Sequence, residues 1–140
     1  MKVLFDTNVV LDVLLARKPH VTAAAQLFAL VERGEIRGTV CATTITTIHY
    51  LAVRAGGPKA AEKHLRQLLS LFEVAPVTSE VVASALDLGF SDFEDAVVQE
   101  AACACGASAI VTRNAKDFAK ASIPVLSPVE LLAAATAPEA

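Results

Sequence analysis

Three short stretches of this chain gather the oxygen-bearing side chains that could do chemistry. Asp6 ends the apolar run Val3-Leu4-Phe5 and is followed by Thr7 and Asn8. Asp92 and Asp95 flank Phe93-Glu94 at the start of a stretch whose apolar residues Phe93, Ala96, Val97, Ala101 and Ala104 recur at helical spacing up to Gly106. Residues three apart in a helix have Cβ atoms about 5–6 Å apart. Two carboxylates held that close repel unless a cation lies between them, and a divalent metal ion would serve. The third stretch follows the short apolar run Ala109-Ile110-Val111 and supplies Thr112, Asn114 and Asp117. The second and third stretches have plainer explanations. Ser91 and Glu94 have the spacing of a capping box, and acids in a first helical turn are favoured by the helix dipole. Asn114 and Asp117 could simply bond to the local backbone of a turn.

The elements that must position these groups are legible as alternating strands and helices. Strands are expected over 2–6, 39–42, 72–76, 109–112 and 124–126, with helical periodicity between them and no repeat or low-complexity tract. Alternation of this kind gives a parallel sheet covered by helices on both faces. Such sheets bind ligands just beyond the carboxyl ends of their strands, which is where Asp6 and Thr112 fall. Gly34 ends one helical pattern, Gly56-Gly57-Pro58 breaks another, and Ser127-Pro128-Val129-Glu130 offers an N-cap, a first-turn proline and a capping-box Glu.

A chain of 140 residues, 54% hydrophobic, can bury one sizeable core, and nothing rich in Pro, Gly or Ser divides it. A single domain over 1–135 with a frayed tail over 136–140 is expected. The net charge of −3 excludes a strongly basic nucleic-acid binder but leaves room for local cations beside an acidic pocket. No apolar run approaches the about 20 residues needed to span a membrane, and the N-terminus is too polar after Phe5 for a secretory signal, so a cytoplasmic protein is expected. Cys41, Cys103 and Cys105 form neither a zinc pattern nor a disulfide framework and read as small buried apolar residues.

Taken as an ordered set, FDTN near the start, DFEDA before a helix, IVTRNAKDF after it and the closing IPVLSPVEL resemble a PIN domain, the metal-dependent ribonuclease fold of VapC-type toxins. The resemblance covers nearly the whole chain. It implies a three-layer α/β/α sandwich with a central parallel sheet of about five strands, gathering acids around Mg²⁺ or Mn²⁺. Carried over by position, Asp6, Asp92 and Asp95 would be metal-binding and catalytic acids. Asn114 or Asp117 would complete the set, with Asn8 and Thr112 in support. The activity implied is hydrolysis of RNA phosphodiester bonds by the toxin of a toxin–antitoxin pair. Its implied partners are RNA, an antitoxin protein and a second copy of the chain.

One departure from the pattern concerns catalytic strength. Toxin-type PIN domains usually carry a Glu on the helix after the second strand, and the corresponding position in Thr43-Thr44-Ile45-Thr46-Thr47-Ile48-His49-Tyr50 holds His49. An imidazole suits Mg²⁺ poorly, because hard cations prefer oxygen. His49 reads as a replacement ligand, a phosphate contact or a packing residue, and packing is the commonest fate of one His on a mostly apolar helix. Arg113, Lys116 and Arg17 are candidate RNA phosphate contacts, with Lys18 and Lys120 more ordinary surface cations. An excess of apolar residues over 48–53 and 60–71 points to association. Two alternatives belong to other classes. A catalytically weak PIN-like module that binds RNA or protein would account for His49. A haloacid-dehalogenase-type phosphatase would need a second Asp where this chain has Asn8.

Overall fold

The computed structural model describes residues 1–136, and its frame is a five-stranded sheet in which every paired strand runs parallel, in the order β3-β2-β1-β4-β5. The strands are β1 (Lys2–Phe5), β2 (Arg37–Cys41), β3 (Glu73–Ala75), β4 (Ala109–Val111) and β5 (Val125–Leu126). Each lies within two residues of its sequence-based expectation. The helices are α1 (Thr7–Leu14), α2 (Val21–Glu32), α3 (Ala42–Gly56), α4 (Pro58–Leu71), α5 (Ser79–Leu86), α6 (Phe93–Ala104) and α7 (Pro128–Thr136), with a single 3₁₀ turn over Ala115–Phe118. Of the tail expected to fray, Thr136 is the last residue of α7, and 137–140 lie outside the described residues.

Strand alternation divides the core into two layers. Val3 and Phe5 of β1 face a cluster built with Val9 and Val10 of α1, Leu27 of α2, Ile48 of α3, Leu68 of α4 and Leu131 of α7. Leu4, between them in sequence, faces the opposite layer, where Val81 of α5, Ala101 and Ala102 of α6 and Phe118 pack against Ile110. Because β1 is central and covered on both sides, it is apolar at every position from Val3 to Phe5.

Helix ends follow local chemistry. Ser127 and Glu130 form the expected capping box, Glu130 N donating to Ser127 Oγ at 3.1 Å and Ser127 N to Glu130 Oε1 at 2.9 Å. The helix after Ser91 departs from expectation in detail. Its cap is Asp92, whose Oδ1 accepts from Glu94 N at 2.8 Å and Asp95 N at 3.3 Å. Gly38 in β2 answers to tertiary packing: a Cβ there would stand 2.5 Å from the ring of Phe72, which packs edge-on against Phe5.

The cysteines differ from expectation in part. Cys41 is buried, whereas Cys103 and Cys105 are only half-buried at the end of α6, and all three are free thiols. Among the described residues, no helix is long and apolar enough to cross a membrane.

Candidate functional site

The site is laid down by strand register. Phe5 pairs with Val111 across the β1–β4 ladder, and Asp6 N continues it by donating to Val111 O at 3.0 Å, so Asp6 and Thr112 leave the sheet side by side at its carboxyl edge. Thr112 Oγ1 donates to Asp6 Oδ2 at 2.8 Å in a fully buried contact, and Thr7 N donates to Asp6 Oδ1 at 2.9 Å, making Asp6 the N-cap of α1. Asn8 Nδ2 reaches Thr112 Oγ1 at 3.3 Å and Asp6 Oδ2 at 3.5 Å. Asn114 N also donates to Thr112 Oγ1, at 3.1 Å. Asn8 and Thr112 therefore both bond to the Asp6 carboxylate.

The acids of the other stretches meet Asp6 through space. Asp95, half-buried in the first turn of α6, has its carboxyl pushed up to about 7, by burial first and then by the charges of Asp6, Asp92, Asp117 and Glu94. Burial likewise raises Asp6; the Thr112 and Thr7 hydrogen bonds oppose that, and Asp117 and Asp92 add to it. Glu94 is raised too, by its own desolvation, Asp92 and Asp6. Four acids from three separate stretches thus share one electrostatic neighbourhood, and Glu94, which the sequence marked only as part of a cap, lies in it as well. Capping and membership of this group are compatible for Asp92, because the backbone takes one of its carboxylate oxygens and leaves the other. Between the two candidates for the last member, Asp117 is the one whose charge is felt at Asp6 and Asp95, whereas Asn114 leads into the 3₁₀ turn and uses its backbone N–H on Thr112.

His49 lies on α3, whose Thr44 reaches the residue after Asp6, its Oγ1 accepting from Thr7 Oγ1 at 3.4 Å. Five residues on, at about 100° per residue, His49 stands about 140° round the helix from Thr44. It is also exposed, which corrects the expectation of a packing residue.

The cations are redistributed as well. Arg113 and Arg17 were expected to meet RNA phosphate, but both guanidinium groups are committed to Asp12, a carboxylate with no exposed surface. Arg113 Nε donates to Asp12 Oδ2 at 2.7 Å and Nη2 to Oδ1 at 3.2 Å, while Arg17 Nε donates to Oδ1 at 3.0 Å. Asp12 was missed. Its signal was a lone acid inside the apolar run Val9-Val10-Leu11-Asp12-Val13-Leu14-Leu15, since a charge buried in such a run must be paired. Lys120 donates to Gly89 O at 2.8 Å. Lys116 is exposed beside Asp117 in a cleft of about 190 Å³ that also includes Ser91 and Phe90.

Among the described residues, no three His, Cys, Asp or Glu side chains converge tightly enough to form a ready metal cage. The donor set is nonetheless suited to Mg²⁺ or Mn²⁺: its members are oxygen donors, and Mg²⁺ keeps several waters and takes only one or two carboxylates directly. The raised carboxyl of Asp95 is the observation behind that fit, since a group of acids that repel one another is relieved by a cation placed among them.

Comparison with known proteins bears on the whole chain. The family model described as "PIN domain" matches residues 2–116. No curated protein gives a significant match. Solved structures do. VapBC2 from Rickettsia felis, bound to a DNA fragment from its promoter, aligns over 91% of this chain and 98% of that one with a TM-score of 0.71 at 15% identity. A toxin–antitoxin complex from Klebsiella pneumoniae aligns over 90% and 97%, with a TM-score of 0.69 at 25% identity. VapC20 of Mycobacterium tuberculosis, a toxin that cleaves the sarcin–ricin loop, aligns over 77% and 86%, with a TM-score of 0.64 at 17% identity.

Proposed function

The chain belongs to the PIN domain family, and from that premise we propose that it is an endoribonuclease dependent on Mg²⁺ or Mn²⁺, acting as the toxin of a toxin–antitoxin pair. The observation that supports this reading is that Asp6, Asp92, Asp95 and Asp117 share one electrostatic neighbourhood around the carboxyl edge of the sheet, with the Asp95 carboxyl raised to about 7 by burial and by its acidic neighbours. Bonding to Thr112 and Thr7 holds Asp6 in one orientation. Asp6, Asp92 and Asp95 are the residues that would hold the metal ion, with Asp117 completing the acidic set. When bound, such an ion supplies a more acidic water and neutralises charge developing on the phosphate.

This chain's own residues do the rest. Thr112 and Asn8 keep the Asp6 carboxylate from rotating, which fixes where its free lone pairs point. Asp95, half-buried and raised, is suited to holding or releasing a proton near neutral pH. Lys116, exposed beside Asp117, is the cation we assign to an RNA phosphate, in place of Arg113 and Arg17.

The antitoxin and homodimer readings rest on the kinship with toxin–antitoxin complexes and on large apolar side chains left at the surface, Tyr50 of α3 and Leu69 of α4 among them. A cytoplasmic setting belongs to the same reading. A second reading, a PIN-like module that binds RNA or protein with little turnover, is favoured by the exposed His49 at the position of the usual Glu and by the open ligand set.

Cleavage of mixed tRNA and rRNA by chelator-treated protein, with Mg²⁺, Mn²⁺ or neither, separates the two when Asp6→Asn is run beside it. Metal-dependent cutting that disappears in Asp6→Asn is the expected result. Binding of RNA without cutting, by folded protein with either ion, would replace the enzyme with the binding module.

A further inference from the structure

Asp12 has no part in the acidic group, yet it is the most completely buried charge near the site. A carboxylate taken out of water is tolerated only with charged or hydrogen-bonding partners. Here the partners do more than neutralise it. Asn8 and Asp12 lie four residues apart and so share one face of α1. Each arginine touches both. Arg17 donates through Nε to Asp12 Oδ1 and through Nη2 to Asn8 O, at 3.0 and 3.1 Å. Arg113 grips Asp12 with its guanidinium fork, and its backbone N–H donates to Asn8 Oδ1 at 3.2 Å.

That last bond decides how the Asn8 carboxamide is oriented. A backbone N–H can only donate, so the oxygen of Asn8 must face Arg113 and its NH₂ must face Thr112 and Asp6. Reversed, the amide would set an oxygen against the Asp6 carboxylate and push it away.

We propose that Asp12 is a positioning residue of the acidic site: by anchoring Arg113 it fixes the Asn8 carboxamide, by anchoring Arg17 it holds the Asn8 main-chain carbonyl, and through Asn8 it fixes the Asp6–Thr112 pair. The functional half of this proposal rests on the nuclease reading. Its structural half does not. Groups that orient metal-binding carboxylates at one remove typically change metal affinity or activity by about 10–100-fold when replaced. The rigid planar fork of arginine is suited to this task in a way that lysine is not.

The test uses the full chain with Asp12→Asn, which keeps the shape and loses the charge, and Arg113→Lys, which keeps the charge and loses the fork. Fold is checked by circular dichroism, Mn²⁺ binding by electron paramagnetic resonance, and the Asn8 side-chain amide by ¹⁵N NMR. RNA cleavage is resolved into kcat and KM. In folded Asp12→Asn the Asn8 amide signals should shift and lose protection, Mn²⁺ should bind about 10-fold more weakly, and kcat should fall about 10–100-fold with KM little changed. Should Asp12→Asn fail to fold, Arg113→Lys carries the same readouts. Unmoved Asn8 signals, with Mn²⁺ binding and kcat as in the parent, would overturn the proposal. A parent protein that neither binds Mn²⁺ nor cuts RNA defeats the nuclease reading instead. The Asn8 signals then decide the clamp alone, a shift supporting it and no shift rejecting it.

Discussion

Two groups of carboxylates lie close together in this fold and are treated in opposite ways. At Asp12 a fully buried acid is matched by two arginines that make three short contacts with it. At Asp6, Asp92, Asp95 and Asp117 several acids are gathered at the mouth of the sheet, where burial first and then the neighbouring acidic charges raise the affinity of Asp6 and Asp95 for protons. Burial of charge costs free energy in both places. The chain offsets it at the first by pairing with arginines, and at the second only in part, by hydrogen bonds to Asp6 and Asp92. Folding alone gives no reason to collect like charges, which supports the metal-binding role proposed for this group.

The sharpest way to break this comparison is to remove one acid from each group. Asp6→Asn should lower metal-dependent RNA cleavage on the order of 10³-fold or more while leaving the urea unfolding midpoint nearly unchanged, because the carboxamide keeps the shape. Asp12→Ala should differ by acting on stability as well as on cleavage: it strands two guanidinium groups around a cavity and should cost about 3–5 kcal/mol, read from the same urea curves. Comparable loss of stability in both variants would erase the distinction.

Gly38→Ala probes the frame beneath both groups. The added methyl meets the Phe72 ring inside the core that supports β1 and β2, and a loss of about 1–3 kcal/mol is expected, with kcat per folded molecule unaltered.

Acidity gives a smaller effect with a definite sign. The Asp95 carboxyl lies at about 7 in the folded chain against an ordinary 3.8, so between those values the native state holds a proton that the unfolded state has lost. Stability therefore falls as pH rises from about 4 to about 7, and is level on either side of that window. Since Asp95 is half-exposed, solvent screening reduces the effect to about 1 kcal/mol. Asp95→Asn should raise the melting temperature by a few degrees above pH 7 and by nothing near pH 4. A rise of equal size at both values would show that the charge of Asp95 is not the cause.

The smallest effect separates the cations. Lys116→Ala should weaken RNA binding and reduce the slope of log K against log[salt] by about one unit, as expected for one lost phosphate contact. An unchanged slope would return the phosphate role to Arg113 or Arg17.

Strand positions, sheet class and the locations of Asp6, Asp92 and Asp95 could be read from the sequence because they depend on local rules. An apolar run marks a strand covered on both faces, and a polar residue ending it marks the carboxyl edge of the sheet. The capping box of Ser127 and Glu130 was legible for the same reason, being complete within four residues. At Asp92 the same local reading erred by one residue, since Ser91 and Asp92 can both cap and only the path of the chain into α6 selects between them.

What only the tertiary structure decided was how groups far apart in sequence compensate one another. Asp12 and Arg113 are separated by 101 positions, and their spacing in sequence carries no sign that they meet. Arg113 therefore looked like a free cation at a strand end, and Asp12 like an interruption in an apolar helix. The exposure of His49 turned on helix phase: Thr44 is buried against Thr7 on another side of α3, and His49 is left in solvent. Sequence sets where each charge lies along its own element. Only the approach of α1 to Arg113, just beyond β4, determines which charges are neutralised and which are left to act, because pairing is settled by distances of a few ångströms through space.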